Sequence, residues 1–115
     1  MSDRTIIKII RTPGGDIQPE GNTTTRHRTG DRVTFTTAPG SQGVTLTFTE
    51  ESPFGADKKV IQYGVEHVLT AAFNPNAARN FYPYMCELVI NGQRFVGKPG
   101  KHQGGGEMEV IRVDA

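Results

Sequence analysis

The sequence predicts an all-β protein, a single domain spanning residues 1–115 and built as a β-sandwich of about seven to eight strands. Three observations carry that expectation. The clearest apolar periodicities repeat every second residue, as in "DRVTFTT" and "GVTLTFT". Clusters of Gly, Pro, Asn, Asp and Ser break the chain at short intervals, and 14 Gly and 7 Pro supply them. Asn91-Gly92 stands between two strand-like runs, and such a pair favours a type I′ hairpin because both central residues need positive φ. At 115 residues the chain is long enough for one hydrophobic core without covalent staples.

Taken in order, "TIIKII" gives a first strand whose inward face is open, since Ile6 and Ile10 share one parity while Ile7 and Ile9 share the other. "DRVTFTT" sends Val33 and Phe35 to one side and Thr34 and Thr36 to the other. "GVTLTFT" alternates throughout, predicting Val44, Leu46 and Phe48 inward and Thr45, Thr47 and Thr49 outward. "VEHVLTAAF" is read as a strand with Val65, His67, Leu69, Ala71 and Phe73 on one face. In "FYPYMCELVI", Tyr82, Tyr84, Cys86, Leu88 and Ile90 align, and Pro83 predicts an edge position or an irregularity because it cannot donate to a ladder. After the Asn91-Gly92 turn, "QRFV" returns as the partner strand. "MEVIRV" closes the chain, with Ile111 and Val113 as its expected core pair. The segment from Lys98 to Gly106, glycine-rich, is expected to be a flexible loop.

Charge is nearly balanced, with 13 Lys and Arg against 12 Asp and Glu, so no basic excess points to nucleic acid or an anionic membrane as partner. The single Cys excludes an internal disulfide. "MSDRTIIKII" mixes acid and base before a short apolar run, which fits neither a secretory leader nor a membrane span. Taken as a native start, it predicts a soluble, cytoplasmic protein. On that expectation the glycosylation sequon Asn22-Thr23-Thr24 is a chance match.

Together "TGDRVTFTT", "GVTLTFT", "YPYMC" and the terminal "EVIRV" resemble the cupredoxins, over nearly the whole chain. The resemblance implies a Greek-key β-sandwich and, in the copper-carrying members, a site of two His, one Cys and a weak axial Met. Cys86 matches the family's cysteine. Val44 stands where the first histidine belongs, and "CELVING" supplies no second one before Gly92. Met108 is close to the axial methionine's place, out of obvious register. His102 is the remaining histidine in family order, much further from Cys86 than the family spacing. The chain is thus closer to the bacterial cupredoxin-like domains that keep the sandwich and lack the metal. The expectation is no metal and no cofactor. The alternative is a copper-binding or electron-transfer protein using Cys86, His102 and Met108.

Other chemistry finds little support. A nucleophilic Cys86, as in a small hydrolase or redox enzyme, requires exposure and a nearby base, whereas its parity places it among core residues. His67 falls at a core edge and His27 in a polar, solvated segment. "GKPGKHQGGG" lacks the Gly-Lys-Ser/Thr end of a phosphate loop and leads into a strand. Glu50 and Glu51, adjacent on a strand, would point to opposite faces and cannot pair as acid and base. The sequence therefore predicts no enzyme, but a non-catalytic binding or assembly module with an unknown protein partner or self-association. Its contact candidates are Phe54 at the "SPFG" turn, if it is exposed and does not plug one end of the sandwich, Arg26 and Arg28 in a small basic patch with Arg32, and the loop residues Lys98 and Lys101.

Overall fold

A computed structural model of the protein describes residues 4–77, 80–100 and 104–112. Among these are ten strands and no helix: β1 (Arg4–Arg11), β2 (Ile17–Pro19), β3 (Thr24–His27), β4 (Arg32–Thr37), β5 (Ser41–Phe48), β6 (Val60–Ile61), β7 (Glu66–Val68), β8 (Phe81–Ile90), β9 (Gln93–Gly97) and β10 (Gly106–Val110). They form two mixed sheets, ordered β2-β1-β4-β7 and β3-β10-β8-β5-β6, with β9 on β8. The fold is all-β, as the periodicity predicts, and its arrangement is that of a sandwich. The strands in excess of the predicted number are short ones, β2, β3 and β6, too brief to show an alternation.

Parallel pairs occur once in each sheet, β1 with β4 and β10 with β3. β2 and β3 are consecutive yet lie in different sheets. After Pro19 the chain turns through Gly21, at φ 86°, and crosses from the edge of one sheet to the edge of the other. β8, the longest strand, is flanked on one side by β5 and on the other by β10 and then β9.

The core is lined from both sheets: Ile7, Ile9, Ile17, Val33 and Phe35 face Leu46, Phe48, Tyr84, Cys86, Leu88, Met108 and Val110. Phe35 and Tyr84 bridge the sheets edge to face at 5.3 Å, and Phe48 meets Tyr84 at 5.7 Å. Each such side chain contributes about 1.5–3 kcal/mol when removed from water. A one-residue slip of β4 would therefore lose both Val33 and Phe35, which fixes its register.

Several expectations are corrected. The ambiguous first strand is resolved with Ile7 and Ile9 inside and Ile6 outside, 72% exposed. In β5 the alternation breaks: Gly43 pairs with Leu88 and Leu46 with Cys86, three steps on one strand against two on the other. This extra residue is a β-bulge. It leaves Val44 half-buried, and the Tyr63 ring lies so close over Gly43 that a side chain there would collide with it. The last strand buries Met108 and Val110 instead of Ile111, which follows the strand half-buried, while Val113 lies outside the described residues. Pro83 lies on an interior strand, paired with Glu107 on β10, but at a local edge on its other side, because β5 pairs with β8 only as far as Tyr84. Its carbonyl accepts from Thr49 N at 3.0 Å, so its missing N–H falls on the side where β5 has already ended at Phe48. "VEHVLTAAF" is strand only over Glu66–Val68, after which Thr70 and Ala71 both donate to the Pro53 carbonyl. Glu50 and Glu51 lie beyond β5, not on it.

Candidate functional site

Cys86 sits in the middle of β8, opposite Leu46 on one side and Gly97 on the other, and its side chain is fully buried. The thiol donates to the Ile17 carbonyl at 3.5 Å, and the same carbonyl accepts from Gly105 N at 2.6 Å. Glycines wall this place because nothing larger fits: a side chain at Gly97 would strike Ile17 O, one at Gly104 the Ile17 backbone, and one at Gly106 the Tyr84 ring. The described end of the glycine-rich loop is thus packed against β2, which corrects its reading as a flexible segment throughout. Burial pushes the Cys86 thiol up to about 12, with the Gly105 N–H opposing. A thiol so placed is protonated at neutral pH and is a poor nucleophile.

Two phenols share this interior. Tyr84 is completely buried, with no hydrogen-bond partner for its hydroxyl among the described residues, and Tyr63 is half-buried, with the Glu87 backbone beside its hydroxyl. Burial raises both above the ordinary tyrosine value, and the nearby Cys86 adds to the rise.

The alternative copper ligands do not converge in the described structure. Met108 is paired with Tyr82, four residues along β8 from Cys86, a separation of about 13 Å at the usual rise per residue. Val44 brings only hydrocarbon to the bulge. His102 lies outside the described residues. No group of three or more His, Cys, Asp and Glu side chains able to hold a metal ion occurs among the described residues.

The remaining histidines occupy other parts of the fold. His27, predicted to be solvated, is 2% exposed on β3, with Nε2 2.7 Å from Thr25 Oγ1 and Nδ1 without a partner. Burial lowers its pKa, against a raising influence of Asp31. The sequence hides this, since "TTTRHRTGD" is polar at nearly every position, and only the parity set by β10 turns His27 inward. His67 lies at a core edge as expected, its ring 5.5 Å from Phe54, but its Nε2 finds no partner. Burial, then Lys58, lowers its pKa.

Phe54 is not an exposed contact point: it is 6% exposed and packs edge-on against Phe48 at 5.7 Å, plugging one end of the sandwich. The three arginines do not form one patch. Arg26 is on the outer face of the β3-containing sheet, paired with Glu109 at 3.0 Å, whereas Arg32 is on the outer face of the other sheet, 3.8 Å from Glu66. Arg28 is exposed beyond β3, where its N–H bonds to Asp31 Oδ2. Lys98 is exposed just after β9, and Lys101 lies outside the described residues.

Sequence reasoning missed the most exposed large apolar side chain, Ile6, flanked on its sheet face by charge. The signal was the run "TIIKII", whose isoleucines on both parities require one set to face outward unless the strand is covered on both sides. No helix among the described residues is long and apolar enough to cross a membrane. No protein-family model matches the chain, and no curated protein matches it.

Proposed function

We propose that this chain is a non-catalytic binding or assembly module carried on a cupredoxin-like sandwich whose type-1 copper site is incomplete. The observation that carries the reading is the environment of Cys86. Its sulfur is sealed among backbone groups of Ile17 and Gly105, its proton is held up to about pH 12, and Met108 stands opposite Tyr82 instead of beside it. Metal binding by a thiol requires its deprotonation and a preorganised set of further ligands. Neither is favoured here.

The test is to add Cu(II) to the purified protein. The expected outcome is no intense visible thiolate-to-copper band, with thiol-reagent labelling of Cys86 that is slow in the native state and rapid in denaturant. A strong band at equimolar copper, lost in Cys86→Ser and His102→Ala, would overturn the reading in favour of a copper-binding or electron-transfer protein using Cys86, His102 and Met108.

A further inference from the structure

β1 has one edge that is only half used. β2 pairs with it over Ile9, Ile10 and Arg11, and Glu20 N then reaches the Lys8 carbonyl at 2.8 Å before the chain leaves for the other sheet. Peptide groups alternate in direction along a strand. Because the Lys8 carbonyl faces the β2 side, so do the N–H and C=O of Ile6 and of Arg4. No neighbour meets them among the described residues. In the second sheet β3 is also an outermost strand on this side. Between the two edges lies an open trough of about 690 Å³, lined by Thr5, Glu20, Thr25 and His27 among others. His27 is the buried histidine whose Nδ1 lacks a partner.

The side chains around this free edge define what would fit. Ile6 presents an apolar group on the outer face, 72% exposed. Arg4 and Arg32 stand side by side in register and share one carboxylate, Glu66, at 3.7 and 3.8 Å, which leaves an excess positive charge among the described residues there. On the inner face Thr5 and the trough offer room for a small polar side chain.

We infer that the edge of β1 at Arg4–Ile6 receives an extended segment of a partner protein, which continues the line that β2 abandons and runs antiparallel to β1. This rests on the binding-module reading and names its surface. The segment reads aliphatic, then Ser or Thr, then Asp or Glu: the aliphatic residue lies opposite Ile6, the hydroxyl enters the trough opposite Thr5, and the carboxylate meets Arg4 and Arg32. Backbone bonds to Ile6 and Arg4 supply affinity, and the side chains supply selection. A second copy of this chain fits poorly. Two-fold pairing about Ile6 drives Arg4 of one copy into the place that Glu20 already fills beside Lys8 of the other. Pairing shifted toward Arg4 brings the two arginine pairs together, like charge on like charge.

The test uses a capped peptide of about seven residues with Val-Thr-Glu at its centre, titrated into the full chain and followed by amide NMR. The Ile6 and Arg4 amides should shift and exchange more slowly, and replacing the peptide's Glu by Lys should weaken binding at least about tenfold. Arg4→Glu should reverse that preference. Ile6→Pro should abolish binding while leaving the fold intact, because the N–H it removes faces away from β4. Shifts that map elsewhere, no shift at about 1 mM peptide, an Arg4→Glu variant with unchanged preference, or a concentration-dependent dimer that Ile6→Pro dissolves would each overturn the proposal. If Ile6→Pro retains a natural partner captured by the unaltered chain, this edge is wrong while the binding-module reading stands; the copper band described above sinks that reading separately.

Discussion

Burial sets the protonation of Cys86, His27 and His67, and in each case it favours the neutral form. The consequences for stability run in opposite pH directions. The two histidines have folded-state pKa values below 6.5, so the unfolded chain takes up protons first on acidification. Their contribution to stability is complete above about pH 6.5 and is lost as the pH falls below it. Urea midpoints measured from pH 7.5 to pH 5 should therefore decline, and His27→Gln should flatten the decline. The thiol works the other way: its folded value of about 12 lies above the ordinary 9.0, so stability falls as the pH rises past 9 toward 12. Cys86→Ala should remove that alkaline component in the same measurement. At Gly97 the limit is steric. Gly97→Ala forces a methyl into the Ile17 carbonyl and should cost about 1–3 kcal/mol, read as a lower urea midpoint with unchanged slope.

At the scale of elements, the β8–β9 hairpin is the part most directly written in the letters. Asn91 and Gly92 both adopt positive φ, 51° and 76°, between strands that pair from Ile90 with Gln93 to Cys86 with Gly97. Gly92→Ala should destabilise by about 1 kcal/mol, measurable by chemical denaturation. β4 was equally legible, since its alternation has one reading. β5 was legible at Leu46 and Phe48 but not at Val44, because a bulge leaves no mark in an alternating pattern and here depends on Tyr63, twenty residues on in sequence, covering Gly43. β10 misled for a different reason. Met108, Val110, Ile111 and Val113 offer apolar residues on both parities, and pairing with β3 and β8 decided between them. His27 was missed because its burial is conferred by that same pairing rather than by apolar neighbours in sequence. Met108, the loosest of the proposed copper ligands, could be placed only once register against Tyr82 was known.

Across the whole molecule, the two sheets are tied by the stretch from β2 to β3, which belongs to both. Ile17 on β2 joins the core beside Cys86 and accepts from Gly105, while His27 on β3 is buried and its carbonyl accepts from Ile111 N. Neither half of this stretch can open without exposing interior groups of the sheet it serves. Hydrogen exchange should consequently find the amides of Gln18, which faces Ile10 on β1, and of His27, which faces Glu109 on β10, opening with the same free energy, equal to that of global unfolding, whereas β6, only two residues long, should open more readily. Acting as a stitch through two layers, this one crossing denies the protein any half-unzipped form: it comes apart all at once or holds.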